Sequence, residues 1–250
     1  MGTVIVQKHT TLNPIQLIGE EAGICWGADV TDKEKNYKRG LNCLSSEHFR
    51  TAEFPQVYLI LDGYSARVIR ELYTHIGGAP TRLQASTRYI DYENGFDYIL
   101  PKSIKPDSFQ AIRYQETIKA IQRSLSRLFK AGVPREDVAN LLPLGMQTKI
   151  VIRTNARNLI DMSHQRMCTR AYWEFRQLFQ DICDALSQYS EEWKTIIDLY
   201  FKPKCEVYGY CPEANSCHKK PTKEELNELL TIAKKLKSTN NELYNLLKET

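Results

Sequence analysis

Residues 71–92 read ELYTHIGGAPTRLQASTRYIDY, and this run sets the alternation of the chain. Its first third ends a helical pattern, Gly-Gly-Ala-Pro breaks it, and residues 83–92 read as a strand. In an extended segment successive side chains point to opposite faces, so Gln84, Ser86 and Arg88 are expected on one face. An amide, a hydroxyl and a guanidinium side by side suit a ligand with phosphate and hydroxyl oxygens. Gly77 and Gly78 allow a backbone to approach a ligand closely. The plainer reading is a polar loop followed by a strand with a solvated face.

Upstream, residues 57–61 (VYLIL) form an apolar, β-branched run that predicts a core strand. Ser65 then caps a helix over 66–75 whose inner face is Val68, Ile69 and Leu72. Before this lie a helix over 13–27, with Asn13 as cap and Pro14 at its first position, and a charged helix or loop over 31–44. Downstream, Ile112, Ile118, Ile121, Leu125 and Leu128 recur at helical spacing within 107–131, and a shorter helix follows over 134–142. KIVIR at 149–153 alternates as a strand. Thr154 or Asn155 opens what reads as the longest helix, running to about Leu186 with Ala171, Phe175, Leu178, Ile182 and Leu186 buried.

Composition shifts at Lys202. The segment 204–221 (KCEVYGYCPEANSCHKKP) is turn-rich and holds three cysteines. A last helix opens with a capping box at Thr222 and Glu225 and carries Leu226, Leu229, Leu230, Ala233 and Leu236, a docking or self-association pattern. The expected division is a body over 1–201 and a turn-rich flap with a helical extension over 202–250.

With 250 residues, 42% hydrophobic and 26% charged, the chain can bury a sizeable core and is not disordered. A net charge of +4 is compatible with anionic small ligands and falls short of a nucleic-acid-binding balance. The sequence has no run apolar enough to span a membrane and no signal-peptide core at its start. Seven cysteines, an odd number, favour free thiols in a reducing cytoplasm. Cys205, Cys211, Cys217 and His218 invite a zinc reading, but gaps of five residues are not those of zinc knuckles or ribbons. The expectation is no metal.

Asn155 and Arg166 are eleven residues apart, so on one helix they share a stripe about 16 Å long. Asn155 at a helix N-terminus can be an anion contact or simply a cap.

NAR at a helix start and QxSxRY in a strand resemble the flavin-dependent thymidylate synthase family. The resemblance runs from about Glu53 to Cys217, through LDGYSARVIRELYTH, LQASTRY, LLPLGMQTKIVIRTNARNLIDMSHQR and AYWEFR. It implies an α/β (α+β) fold with a central mixed or antiparallel sheet, packed helices and active sites at subunit interfaces of a homotetramer. Loop 74–88 and helix 155–170 would then come from different copies. It implies reductive methylation of dUMP to dTMP, with methylenetetrahydrofolate giving the carbon and FAD, reduced by NADPH, giving the hydride. The residues it implies for dUMP are Gln84, Ala85, Ser86, Thr87, Arg88 and the activating Arg166. Those for FAD are Thr74, His75, Ile76, Gln84, Asn155, Arg157 and Asp161. The family's Arg-His-Arg signature stands here as Thr74-His75-Ile76, which marks a divergent subgroup. It also leaves a second reading, a non-catalytic nucleotide- or flavin-binding member of the same fold.

Overall fold

The computed structural model describes residues 2–239. In chain order it has β1 (Thr3–Val6), α1 (Pro14–Cys25), α2 (Lys33–Ser45), β2 (Gln56–Ser65), α3 (Ala66–Leu72) and β3 (Thr81–Gln84). Then come α4 (Phe109–Lys130), α5 (Arg135–Val138), β4 (Gln147–Asn155), α6 (Ala156–Arg166) and α7 (Trp173–Tyr189). The short helices α8 (Glu191–Tyr200) and α9 (Lys204–Tyr208) and the terminal α10 (Lys223–Thr239) complete it. The sheet has the order β1-β2-β4-β3 and every pairing is antiparallel. The expected α/β arrangement of an antiparallel sheet with packed helices is therefore what the chain forms.

Val57, Leu59 and Leu61 of β2 and Ile150 and Ile152 of β4 alternate inward and meet Val68, Ile69, Leu159, Phe175, Phe179 and Trp193 in one apolar core. Helices α1 and α2 approach so closely that a Cβ on Gly19 would lie 1.8 Å from the Asn36 carbonyl oxygen, and one on Gly40 2.0 Å from that of Ile15.

Two buried carboxyl groups support helix starts, one that local sequence leaves uncapped and one whose capping serine is held in place by the carboxyl. Asn13 makes no capping bond to α1. Glu192 from α8 accepts the Ile15 and Gln16 amides instead, at 2.7 and 3.0 Å. Glu174 from α7 accepts the Ser65 amide at 2.7 Å and the Ser65 hydroxyl at 2.6 Å. Ser65 itself accepts the Val68 amide at 3.2 Å and so caps α3. These bonds satisfy donors that a helix start cannot satisfy internally.

Three expectations are corrected. The strand expected over 83–92 is only Thr81–Gln84. After the Ala85 amide bonds the Lys149 carbonyl, the Ser86 carbonyl accepts both the Tyr89 and Ile90 amides and turns the chain. Gln84, Ser86 and Arg88 thus do not share a strand face. The long helix from Asn155 is broken between Arg166 and Trp173. Arg176 donates to the Thr169 and Ala171 carbonyls, replacing the helical partners these have lost. Arg170 and Ala171 accordingly leave the helix, while Phe175, Leu178, Ile182 and Leu186 remain buried on α7. Helix α3 stops at Leu72, short of His75. The capping box is present, with Glu225 accepting the Thr222 amide at 2.7 Å.

Glu174→Ala should cost about 2 kcal/mol or more, because it leaves a buried amide and hydroxyl without acceptors. Glu228→Ala, on the exposed side of α10, should stay within about 0.5 kcal/mol of the parent. Urea midpoints of the two variants test this; equal midpoints would remove Glu174 from its structural role.

Candidate functional site

Strands β2 and β4 run antiparallel from Gln56↔Asn155 to Ser65↔Gln147, and the last residue of each is the cap of the helix that follows. Helices α3 and α6 therefore leave from opposite ends of the same pair and run back toward each other. A nine-residue strand spans about 30 Å, and helices of seven and eleven residues span about 10 and 16 Å. Their C-terminal ends must converge.

Glu71, His75 and Arg166 meet at that convergence. Arg166 donates through Nε to His75 Nε2 at 2.8 Å and through Nη1 to Glu71 Oε2 at 3.1 Å. Its guanidinium carbon lies 4.2 Å from the centre of the Phe175 ring, a cation–π contact. The side chain is 15% exposed. Nε and Nη1 are thus bonded within the protein, while Nη2 makes no hydrogen bond among the described residues. Because His75 Nε2 accepts, its proton is assigned to Nδ1.

Burial, then the charges of Arg166 and Arg82, lowers the His75 pKa to about 4. Burial also lowers Arg166, opposed by Glu71, but a guanidinium stays charged at any working pH. The trio is therefore one cation, one anion and one neutral ring. Arg82 donates to the His75 carbonyl and lies over the Tyr73 ring, while its Nε is buried with no partner.

Asn155 is 4% exposed and caps α6 by accepting the Asn158 amide at 2.9 Å. Gly78, at φ +67, lies so close that a Cβ there would sit 2.2 Å from the Asn155 side-chain nitrogen. Only glycine tolerates both that contact and that φ. The capping alternative for Asn155 is thus realised. Arg157 bonds Glu53 at 3.3 Å, with Asp161 at 3.9 Å. The Thr74 hydroxyl donates to the Glu71 carbonyl, and Ile76 is exposed.

Gln84, Ala85, Ser86, Thr87 and Arg88 lie elsewhere. Gln84 Nε2 is 3.5 Å from the Thr148 hydroxyl, Ser86 Oγ accepts the Arg88 amide, and Arg88 pairs with Glu136 at 3.0 Å on the surface. Arg166 instead lines a cavity of about 350 Å³ with Cys168, Arg170, Cys205, Cys211 and Cys217. One chain thus joins Arg166 to His75 but not to Ser86 and Arg88. The expectation that all of loop 74–88 meets helix 155–170 only across copies is corrected for His75. Sequence reasoning missed Glu71 and Cys168. A carboxylate four residues before His75 on a helix end was the available signal for the first; the second depends on the break after α6.

The pKa of folded His75 lies below its unfolded value of 6.5, so the unfolded chain binds the proton more readily. This contribution, on the order of 3 kcal/mol, is fully present above pH 6.5 and is lost as the pH falls toward 4. Protonation also removes the acceptor for Arg166 Nε. His75→Asn should flatten the acid side of a stability–pH curve measured by urea unfolding. A variant that loses stability as steeply as the parent between pH 6.5 and 4 would show that His75 is not the group responsible.

The family model of thymidylate synthase complementing proteins matches residues 7–190. A flavin-dependent thymidylate synthase of Pyrococcus furiosus is 30% identical over 204 residues, 77% of this chain and 80% of that protein. One from Clostridium tetani is 27% identical over 243 residues, 88% of this chain and 94% of that protein. The crystal structure of thymidylate synthase X from Helicobacter pylori with FAD and dUMP superposes with a TM-score of 0.60 at 19% identity, covering 79% of this chain and 99% of that one. The helix ends that bring Arg166 to Glu71 and His75 thus lie inside the matched region, and the chain belongs to the family of thymidylate synthase complementing proteins.

Proposed function

We propose that the chain makes dTMP by reductive methylation of dUMP, with methylenetetrahydrofolate as carbon donor and Arg166 as the group that activates the pyrimidine. What carries this reading is a guanidinium oriented by Glu71 and His75, with one nitrogen to spare, in a family whose named relatives are flavin-dependent thymidylate synthases.

A fixed cation beside the uracil carbonyl stabilises negative charge that develops on the ring and makes its C5 carbon a better nucleophile. The salt bridge and the neutral ring hold that cation without reorganisation. Because His75 is neutral, it accepts from Arg166 and adds no second positive charge. Ser86 and Arg88, with Gln84, Ala85 and Thr87, hold the nucleotide; Arg88 presents a fork of donors to the phosphate.

The residues present fit FAD. Arg82 carries a buried, unpaired donor, a state that costs about 1–3 kcal/mol until an acceptor arrives. Arg153 donates to the Ala79 carbonyl of the 74–79 loop, and its charge there suits a diphosphate. FAD, reduced by NADPH, would supply the hydride. Thr74, His75, Ile76, Gln84, Asn155, Arg157 and Asp161 would surround it, with Asn155 acting through the path it sets for Gly78. Arg88 pairs with Glu136 while Arg166 pairs with Glu71 and His75, and a second copy, within a homotetramer, would bring the two arginines to one site. Residues 1–201 carry the catalysis and 202–239 form an appendage; the rest of the expected extension, 240–250, lies outside the described residues. Seven free cysteines suit a cytoplasmic setting. Among the described residues no helix is long and apolar enough to cross a membrane.

Purified protein given dUMP, methylenetetrahydrofolate, NADPH and FAD under anaerobic conditions should yield dTMP. Saturable dUMP binding with no product would favour the non-catalytic reading instead. Arg166→Ala should abolish product while leaving the fold intact; normal turnover would refute its role. Arg88→Ala should raise the dUMP KM at least tenfold with little change in kcat. Glu71→Gln should instead lower kcat, since it removes the ion pair that orients Arg166 and keeps the hydrogen-bonding shape. A rise in KM alone would place Glu71 in binding.

A further inference from the structure

The flap formed by residues 203–222 lies outside the region that the family model matches and has almost no core of its own. Between Lys204 and Lys220 only Cys211 is buried. Helix α9 is five residues long and ends at Gly209, which has a positive φ. Val207 and Tyr208 are exposed. The flap closes on itself through the Cys211 amide, which donates to the Pro221 carbonyl at 2.6 Å. It is tied to the body by Arg170, which donates to the Asn215 carbonyl at 3.1 Å. Burial this small does not offset the entropy of ordering some twenty residues, and such segments are held by disulfides or metals.

The cysteines are placed for the second. Cys205, Cys211 and Cys217 of the flap line one cavity together with Cys168, which stands in the break between α6 and α7. Cys205 is within electrostatic reach of the other three, and all four are free thiols. The Thr169 side chain and the Lys219 backbone lower the pKa of the exposed Cys217 thiol, which favours the thiolate that a metal binds. Lys204, Arg166 and Arg170 line the same cavity, and Lys219 and Lys220 border the next one. That surplus of cations would balance an anionic centre.

We propose that Cys168, Cys205, Cys211 and Cys217 form a tetrathiolate Zn²⁺ site that fastens the flap to the body and fixes the wall facing Arg166. Four thiols bind one Zn²⁺ and release four protons to solvent; the centre carries two negative charges, and nothing is oxidised or reduced. Zinc suits four sulfurs in tetrahedral array at about 2.3 Å each. As the side chains stand, no three His, Cys, Asp or Glu groups among the described residues surround one ion. A staggered turn about χ1 relocates a sulfur without moving backbone, and the site requires such turns to bring the thiols of the shared cavity onto the ion. The spacing argument against zinc considered the flap alone, whereas the fourth ligand comes from the body.

The test is elemental analysis of the purified full-length chain, followed by Co²⁺ titration of the zinc-stripped protein. The expected result is one zinc per chain, released by a mercurial thiol reagent, and the visible spectrum of tetrahedral Co²⁺–thiolate in the substituted protein. Cys205→Ser and Cys168→Ser should lose the metal, and Cys25→Ser should keep it. Because a serine variant can misfold, thiol reactivity is also measured on the parent: zinc should protect the four cysteines from a disulfide reagent. Overturning results are thiols equally reactive with and without zinc, iron with acid-labile sulfide, or a disulfide among the four. None of these readouts depends on turnover, so they stand apart from the test of dTMP synthesis.

Discussion

The antiparallel pairing of β2 with β4 is the constraint from which the site follows. Each strand hands the chain directly to a helix through a side-chain cap, Ser65 in one case and Asn155 in the other. The register puts these caps at opposite ends of the pair. Two helices that start about 30 Å apart and run about 10 and 16 Å toward each other can only meet at their C-termini. That is also where a cation is electrostatically favoured, since helix carbonyls concentrate negative potential there. Arg166 closes α6, and Glu71 lies in the last turn of α3. The ion pair between them results from strand register and helix length acting together.

Much of this was legible because its causes are local. Ser65, Asn155 and the Thr222–Glu225 box are capping signals that need no tertiary partner, and the apolar run VYLIL and the alternating KIVIR showed two core strands. The remaining features depended on residues far away in sequence. Glu174 reaches across from α7 to Ser65, and Glu192 from α8 to the start of α1; neither has a local signature. The break after Arg166 follows from the Arg176 guanidinium taking the Thr169 and Ala171 carbonyls, in a stretch whose apolar period continues past it. β3 ended early because the Ser86 carbonyl drew two amides into a turn, although the alternation of apolar and polar residues runs on through Ala85 and Ser86. Of the residues assigned through family resemblance, Arg166 and His75 come together, while Ser86 and Arg88 bond to each other and Arg88 pairs with Glu136 instead.

The charge state of the trio decides how it can act. A protonated His75 would place two cations side by side in a partly buried space, and its own burial prevents that near neutral pH. Phe175 sets one face of the guanidinium and Glu71 one edge, so direction as well as charge is fixed. Phe175 is itself wholly buried in the core, which couples the placement of Arg166 to core packing.

The contact between Gly78 and Asn155 has a mechanical consequence. The amide that opens α6 is also the floor on which the 74–80 loop rests, so loop and helix cannot shift independently at that point. Since α6 is a continuous rod, a ligand that presses on the loop pushes one end of a strut whose other end bears Arg166.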